Sequence, residues 1–68
     1  MTTAVFVSET KAILLAEKLE CSPHKVRHTN VEPQRRRGEM QGYIVRIKWE
    51  DGVYNSMTEE LVEQLEAM

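Results

Sequence analysis

Apolar and polar positions change their period several times along the chain, and each change marks an element. Thr2 to Val7 is short and β-branched, with Val5, Phe6 and Val7 in succession, which predicts a largely buried strand. From Ser8 the period becomes helical. Ala12, Leu15, Ala16 and Leu19 fall at i, i+3, i+4 and i+7, with Ile13 and Leu14 widening the stripe. Ser8 is placed to cap this helix, since its hydroxyl can accept from a backbone amide left unpaired in the first turn, and Glu9 suits the positive helix end. The helix should stop near Cys21, because the residue before Pro23 is pushed out of helical geometry.

His24 to Val31 alternates weakly, with Val26, His28 and Asn30 on one parity and Lys25, Arg27, Thr29 and Val31 on the other. It reads as a strand in preference to a short helix capped by Ser22-Pro23, which Val26 alone would anchor. Residues 32–41 contain Pro33, three consecutive arginines and Gly38, follow neither period, and read as an exposed, mobile basic loop. Tyr43, Val45, Ile47 and Trp49 then alternate with Ile44, Arg46, Lys48 and Glu50, the pattern of a strand with one face packed and one wet. Asp51-Gly52 predicts a two-residue hairpin turn, and Val53 and Tyr54 begin the return strand. Ser56 and Glu59 form an S-x-x-E capping box opening a last helix striped by Leu61, Val62, Leu65 and Met68.

The order so predicted is β-α-β-β-β-α: an α+β fold, residues 1–68 as a single domain, with a mostly antiparallel sheet and two amphipathic helices on one face. Tyr43, Val45, Ile47, Trp49, Leu15, Leu19, Leu61 and Leu65 are the expected core. With 68 residues, 41% of them apolar and 29% charged, one core is all the chain can build. The densest apolar patch, Ala12 to Ala16, is far too short to span a bilayer, and residues 1–7 lack the basic start of a secretory signal. The single cysteine, Cys21, has no internal disulfide partner, so the chain reads as cytoplasmic and reduced.

Charge changes the picture more than composition does. The net value is −2, yet residues 24–48 carry Lys25, Arg27, Arg35, Arg36, Arg37, Arg46 and Lys48 against only Glu32 and Glu39. Glu50, Asp51, Glu59, Glu60, Glu63 and Glu66 follow with no base among them. The basic middle offers Arg27, Arg35, Arg36, Arg37, Arg46 and Lys48 as phosphate contacts. Against that stand the acidic net charge and the parity of Tyr43 and Trp49, which assigns both to the core rather than to stacking on bases.

The run from Tyr43 to Gly52, with its W-x-D-G step at Trp49 to Gly52, resembles the strand-turn-strand of small SH3-like barrels such as Tudor or chromo-type modules. An ordinary amphipathic hairpin has the same letters, and the long N-terminal helix does not suit such a barrel, so no family is assigned on this run.

Catalytic chemistry is hard to place. Cys21, His24 and His28 spell C-x2-H-x3-H, but on a strand the two histidines stand about 13 Å apart at roughly 3.3 Å per residue, too far to share an ion. Gly38 and Gly42 are isolated, with no phosphate-binding loop and no dinucleotide fingerprint. Neither metal nor cofactor is expected, and no enzyme activity. The function that remains is contact with another macromolecule. A protein partner bound through Glu59, Glu60, Glu63 and Glu66 of the last helix leads, in a small regulatory, adaptor or inhibitor-type protein. A nucleic-acid module using residues 25–48 is the alternative, and self-association fits either.

Overall fold

A computed structural model describes residues 2–68 and shows an α+β fold ordered α1 (Glu9–Glu20), β1 (Val26–Arg36), β2 (Glu39–Trp49), β3 (Tyr54–Ser56) and α2 (Glu59–Glu66). The three strands form one antiparallel sheet in the order β1-β2-β3. Helix α1 begins where Ser8 accepts a hydrogen bond from Lys11 N at 3.4 Å, and it is capped at Cys21, as the sequence predicts. Its sheet-facing stripe of Ala12, Leu15, Ala16 and Leu19 is buried; the two alanines present little bulk to the strands beneath. Val45, Ile47, Met57 and Leu65 complete the fully buried centre. Tyr43, Trp49 and Leu61 of the expected core are only partly buried and pack around it.

The leading segment differs from its expectation. Instead of a continuous strand it makes isolated bridges, Thr3 with Thr58 and Phe6 with Tyr43, and Ala4 N donates to Met57 O at 2.9 Å. Ala4 and Phe6 turn inward while Val5 and Val7 face solvent. Alternation, rather than full burial, is what a segment lying along one edge allows. This strap takes over where β3 ends: β3 covers β2 at Arg46 to Lys48, Met57 N donates to Val45 O at 2.7 Å, and Phe6 exchanges both backbone bonds with Tyr43.

The expected basic loop is the largest correction. Residues 32–36 continue β1 and residues 39–41 begin β2, leaving Arg37 and Gly38 as a two-residue turn between the paired residues Arg36 and Glu39. Both turn residues have positive φ, 54° and 79°, as a type I′ hairpin requires. The Asp51-Gly52 hairpin instead closes with a longer connection, in which Gly52 N donates to Trp49 O, Trp49 N donates to Val53 O, and Gly52 alone has positive φ. The tight turn and the wider one have thus exchanged places.

Helix α2 starts two residues later than the capping box predicts. Thr58 accepts from Leu61 N at 3.2 Å, while Ser56 ends β3 opposite Arg46. The shift frees Met57 to enter the core rather than occupy a helical first turn. It also ends α2 before Met68, which is exposed. Helix α1 lies across β1 and β2; α2 packs beside α1 and reaches the core through Leu65.

The direction of the backbone groups decides which edge of the sheet is free. Tyr43, Val45 and Trp49 send their hydrogen bonds toward Phe6, Met57 and Val53, so the alternate residues of β2 bond β1. The register pairs those with His28, Asn30, Glu32 and Gln34. Thr29, Val31 and Pro33 therefore turn their backbone groups away from the sheet, along an edge beyond which no further strand lies among the described residues.

Two substitutions test this backbone arrangement. Gly42 has φ 142°, and a Cβ there would sit 2.7 Å from Phe6 O and 2.8 Å from Val5 Cγ1, so Gly42→Ala should cost about 2 kcal/mol or more of unfolding free energy. Arg37→Asn, which suits the first position of a type I′ turn, should raise it by about 0.5–1 kcal/mol. Urea denaturation measures both; an unchanged midpoint for Gly42→Ala would contradict the close approach of the strap.

Candidate functional site

The register divides the candidate phosphate contacts. Arg46 and Lys48 lie on the helix-free face of β2, across from Asn30 and His28. Arg27 occupies the irregularity between Val26 and His28. Arg35 and Arg36 lie at the far end of β1, and Arg37 is in the turn. The arginine turn is about 20 Å along the strands from Arg46, at roughly 3.3 Å per residue. Arg46 is moreover engaged: its Nε lies 3.5 Å from Glu32 Oε2, and its Cζ sits 5.1 Å from the centre of the Tyr54 ring.

Sequence reasoning passed over Tyr54. It pairs with Lys48 and is 53% exposed, so it lies on the wet face rather than in the core. Its place in the return strand held that information once the hairpin register was known. Trp49, by contrast, is half-buried, donates from Nε1 to Asn55 Oδ1 at 2.8 Å and meets the His24 ring edge-on at 6.3 Å. Ile44, predicted wet, is buried on the helix-free face, where the central strand gives it neighbours from both sides.

The four glutamates of α2 separate. Glu66 pairs with Lys11 at 3.5 Å, an exposed pair that adds little to stability. Glu59 and Glu63 flank a shallow cleft with Lys11 and Val62, whereas Glu60 borders another with His24 and Trp49. Cys21 is exposed at the end of α1, His24 Nδ1 is 2.8 Å from Ser22 Oγ, and His28 stands on the helix-free face. No group of three His, Cys, Asp or Glu side chains gathers among the described residues.

Helix α1 is apolar on more than its buried stripe. Ile13 and Leu14, which the sequence places at the margins of the core, are 42% and 58% exposed. The sheet beneath is too narrow to cover a stripe that wide, and they diverge onto two flanks. Leu14 opens into a groove of about 610 Å³ toward α2, bordered by Lys11, Leu15, Lys18, Cys21 and Glu66. Ile13 opens into one of about 410 Å³ along β1, bordered by Glu9, Glu17, Glu20, Thr29 and Val31. Among the described residues no helix is long and apolar enough to cross a membrane.

No family model matches the chain, and neither a curated protein nor a solved structure matches it.

The state of Arg46 can be tested. Its Nε is buried and makes no hydrogen bond, the contact with Glu32 being an attraction of charges without a directed bond. Arg46→Met keeps the aliphatic stem and removes that unpaired donor, so it should change unfolding free energy by less than about 1 kcal/mol. A loss well beyond this in a denaturant titration would make the Glu32 and Tyr54 contacts structural necessities.

Proposed function

We propose that this is a non-enzymatic binding protein, of the regulatory, adaptor or inhibitor kind, that acts by contact with another protein. The observation that supports this most is the outward exposure of Leu14 in an apolar groove between the helices. Several large apolar side chains are exposed, Val7, Val53 and Met68 among them; Leu14 opens into a groove, where a partner would cover it. The groove's rim carries both signs, Lys11 and Lys18 against Glu17 and Glu66, while Glu59 and Glu63 border the neighbouring cleft beside Lys11, so the acidic side of α2 would steer a basic partner to that flank. The partner would seat an apolar side chain against Leu14 and Leu15.

Copurification of the untagged protein from its native cell, with identification of what accompanies it, supplies the partner for the test. Leu14→Glu should then lower its affinity about tenfold or more, with circular dichroism unchanged. Full retention by Leu14→Glu would exclude the groove as the contact surface.

One observation favours a second reading. Tyr54, Lys48, His28 and Arg46 share a sheet face that no helix covers, which would let a single-stranded nucleic acid stack on Tyr54 and track the cations. Titration of labelled single-stranded RNA and DNA at low and near-physiological salt tests it. Binding that persists at the higher salt and is lost in Tyr54→Ala would place this reading first.

A further inference from the structure

The open edge of β1 joins an unsatisfied backbone to an uncompensated charge pattern. Thr29 and Val31 turn a donor and an acceptor outward, and Pro33 an acceptor only. The groove beside this edge is bordered by Glu9, Glu17 and Glu20, with Ile13 among them and no cation among the described residues. Glu20 accepts from the Thr29 hydroxyl at 2.8 Å. The ion pairs among the described residues are Lys11–Glu66 and Arg46–Glu32, so neither these carboxylates nor Arg35, Arg36 and Arg37 have a charged partner there.

A strand that completes this edge must bring cations to the end near Thr29, on the side facing α1. Strand β1 itself meets that description. The register shifts between Gln34 and Arg35, but the extra residue, Gln41, lies on β2, so β1 keeps its alternation and Arg35 shares the side of Thr29, Val31 and Pro33. An antiparallel pairing of β1 with β1 about a twofold axis near Val31 carries Arg35 of each copy opposite Arg27 of the other, two residues beyond Thr29, from where its long side chain can reach Glu20 at the Thr29 hydroxyl. The same axis brings the two exposed Ile13 side chains toward one another.

We propose that two copies of this chain associate through their β1 edges into a continuous six-stranded antiparallel sheet, held by backbone pairing and by Arg35 of each copy against the α1 carboxylates of the other. Two features keep the association weak. Pro33 lacks the donor that would complete the ladder, and Arg27 lies at the end where Arg35 of the other copy arrives. This inference stands apart from the Leu14 groove, which lies on the opposite flank of α1.

Sedimentation equilibrium of the full chain over a wide concentration range, at low and near-physiological salt, tests it. The expected result is a monomer–dimer equilibrium that weakens with salt. Arg35→Glu should weaken it about tenfold, the change being made twice in a symmetric dimer, and adding Glu20→Arg should recover most of the loss. Thr29→Pro, which removes an outward donor at a position in phase with the existing Pro33, should abolish it. Leu14→Glu should leave it unchanged. Circular dichroism establishes folding in each variant, and if Thr29→Pro fails to fold, the Arg35 and Glu20 pair decides. A monomer at every concentration overturns the proposal. So does a dimer indifferent to Arg35→Glu, or one abolished by Leu14→Glu, which would place the contact between copies in the other groove.

Discussion

Everything in this chain is arranged around the burial of Val45 and Ile47 in the middle strand. Both side chains are fully buried with Leu19 of α1, Leu65 of α2 and Met57 between β3 and α2. Their strand is also bonded along both edges, by β1 on one side and by β3, Met57 and Phe6 on the other. A slip of one residue would turn Arg46 and Lys48 into the core and expose the pair, so the register is fixed by a large difference in burial. With so few residues, nothing else in the fold could replace this contact.

That constraint distributes the rest. The far edge of β2 is too long for the three-residue β3, and the leading segment completes it, which is why Gly42 must admit Phe6 so closely. The sheet is narrow, so α1 covers it with one stripe and leaves Ile13 and Leu14 outside on two flanks. The edge of β1 remains open because each of the other described segments is already engaged elsewhere. Both proposed contact surfaces are thus consequences of a core saturated by a single strand.

The strongly periodic elements were legible in the sequence: the stripe of α1 with its Ser8 cap, the alternation of β2, and the hairpin at Asp51-Gly52. What was not legible depended on partners distant in sequence. Residues 32–36 have no period because β1 is an edge strand whose ladder comes from β2, and Pro33 sits where its missing donor costs no bond within the sheet. Arg37 carries no sign of its positive φ, which the neighbouring Gly38 and the pairing of Arg36 with Glu39 impose. Ser56 with Glu59 is the better cap by its letters, and the burial of Met57 moves the helix start to Thr58. The charged candidates were visible as a basic middle and an acidic end. Their division into a strand face, a turn and two sides of α2 requires the register.

Strand β2 is bonded along both edges and β1 along only one, and the proposed pairing of β1 edges depends on that difference. Hydrogen exchange of individual amides in dilute solution reads it directly. Arg46, paired with Asn30 of β1, and Ile47, paired with Asn55 of β3, should be the slowest. Along β1 protection should alternate, with Asn30 and Glu32 slow and Thr29 and Val31 fast. Uniform protection from Thr29 to Glu32 in the dilute monomer would mean that the β1 edge is already covered, and would contradict the architecture described.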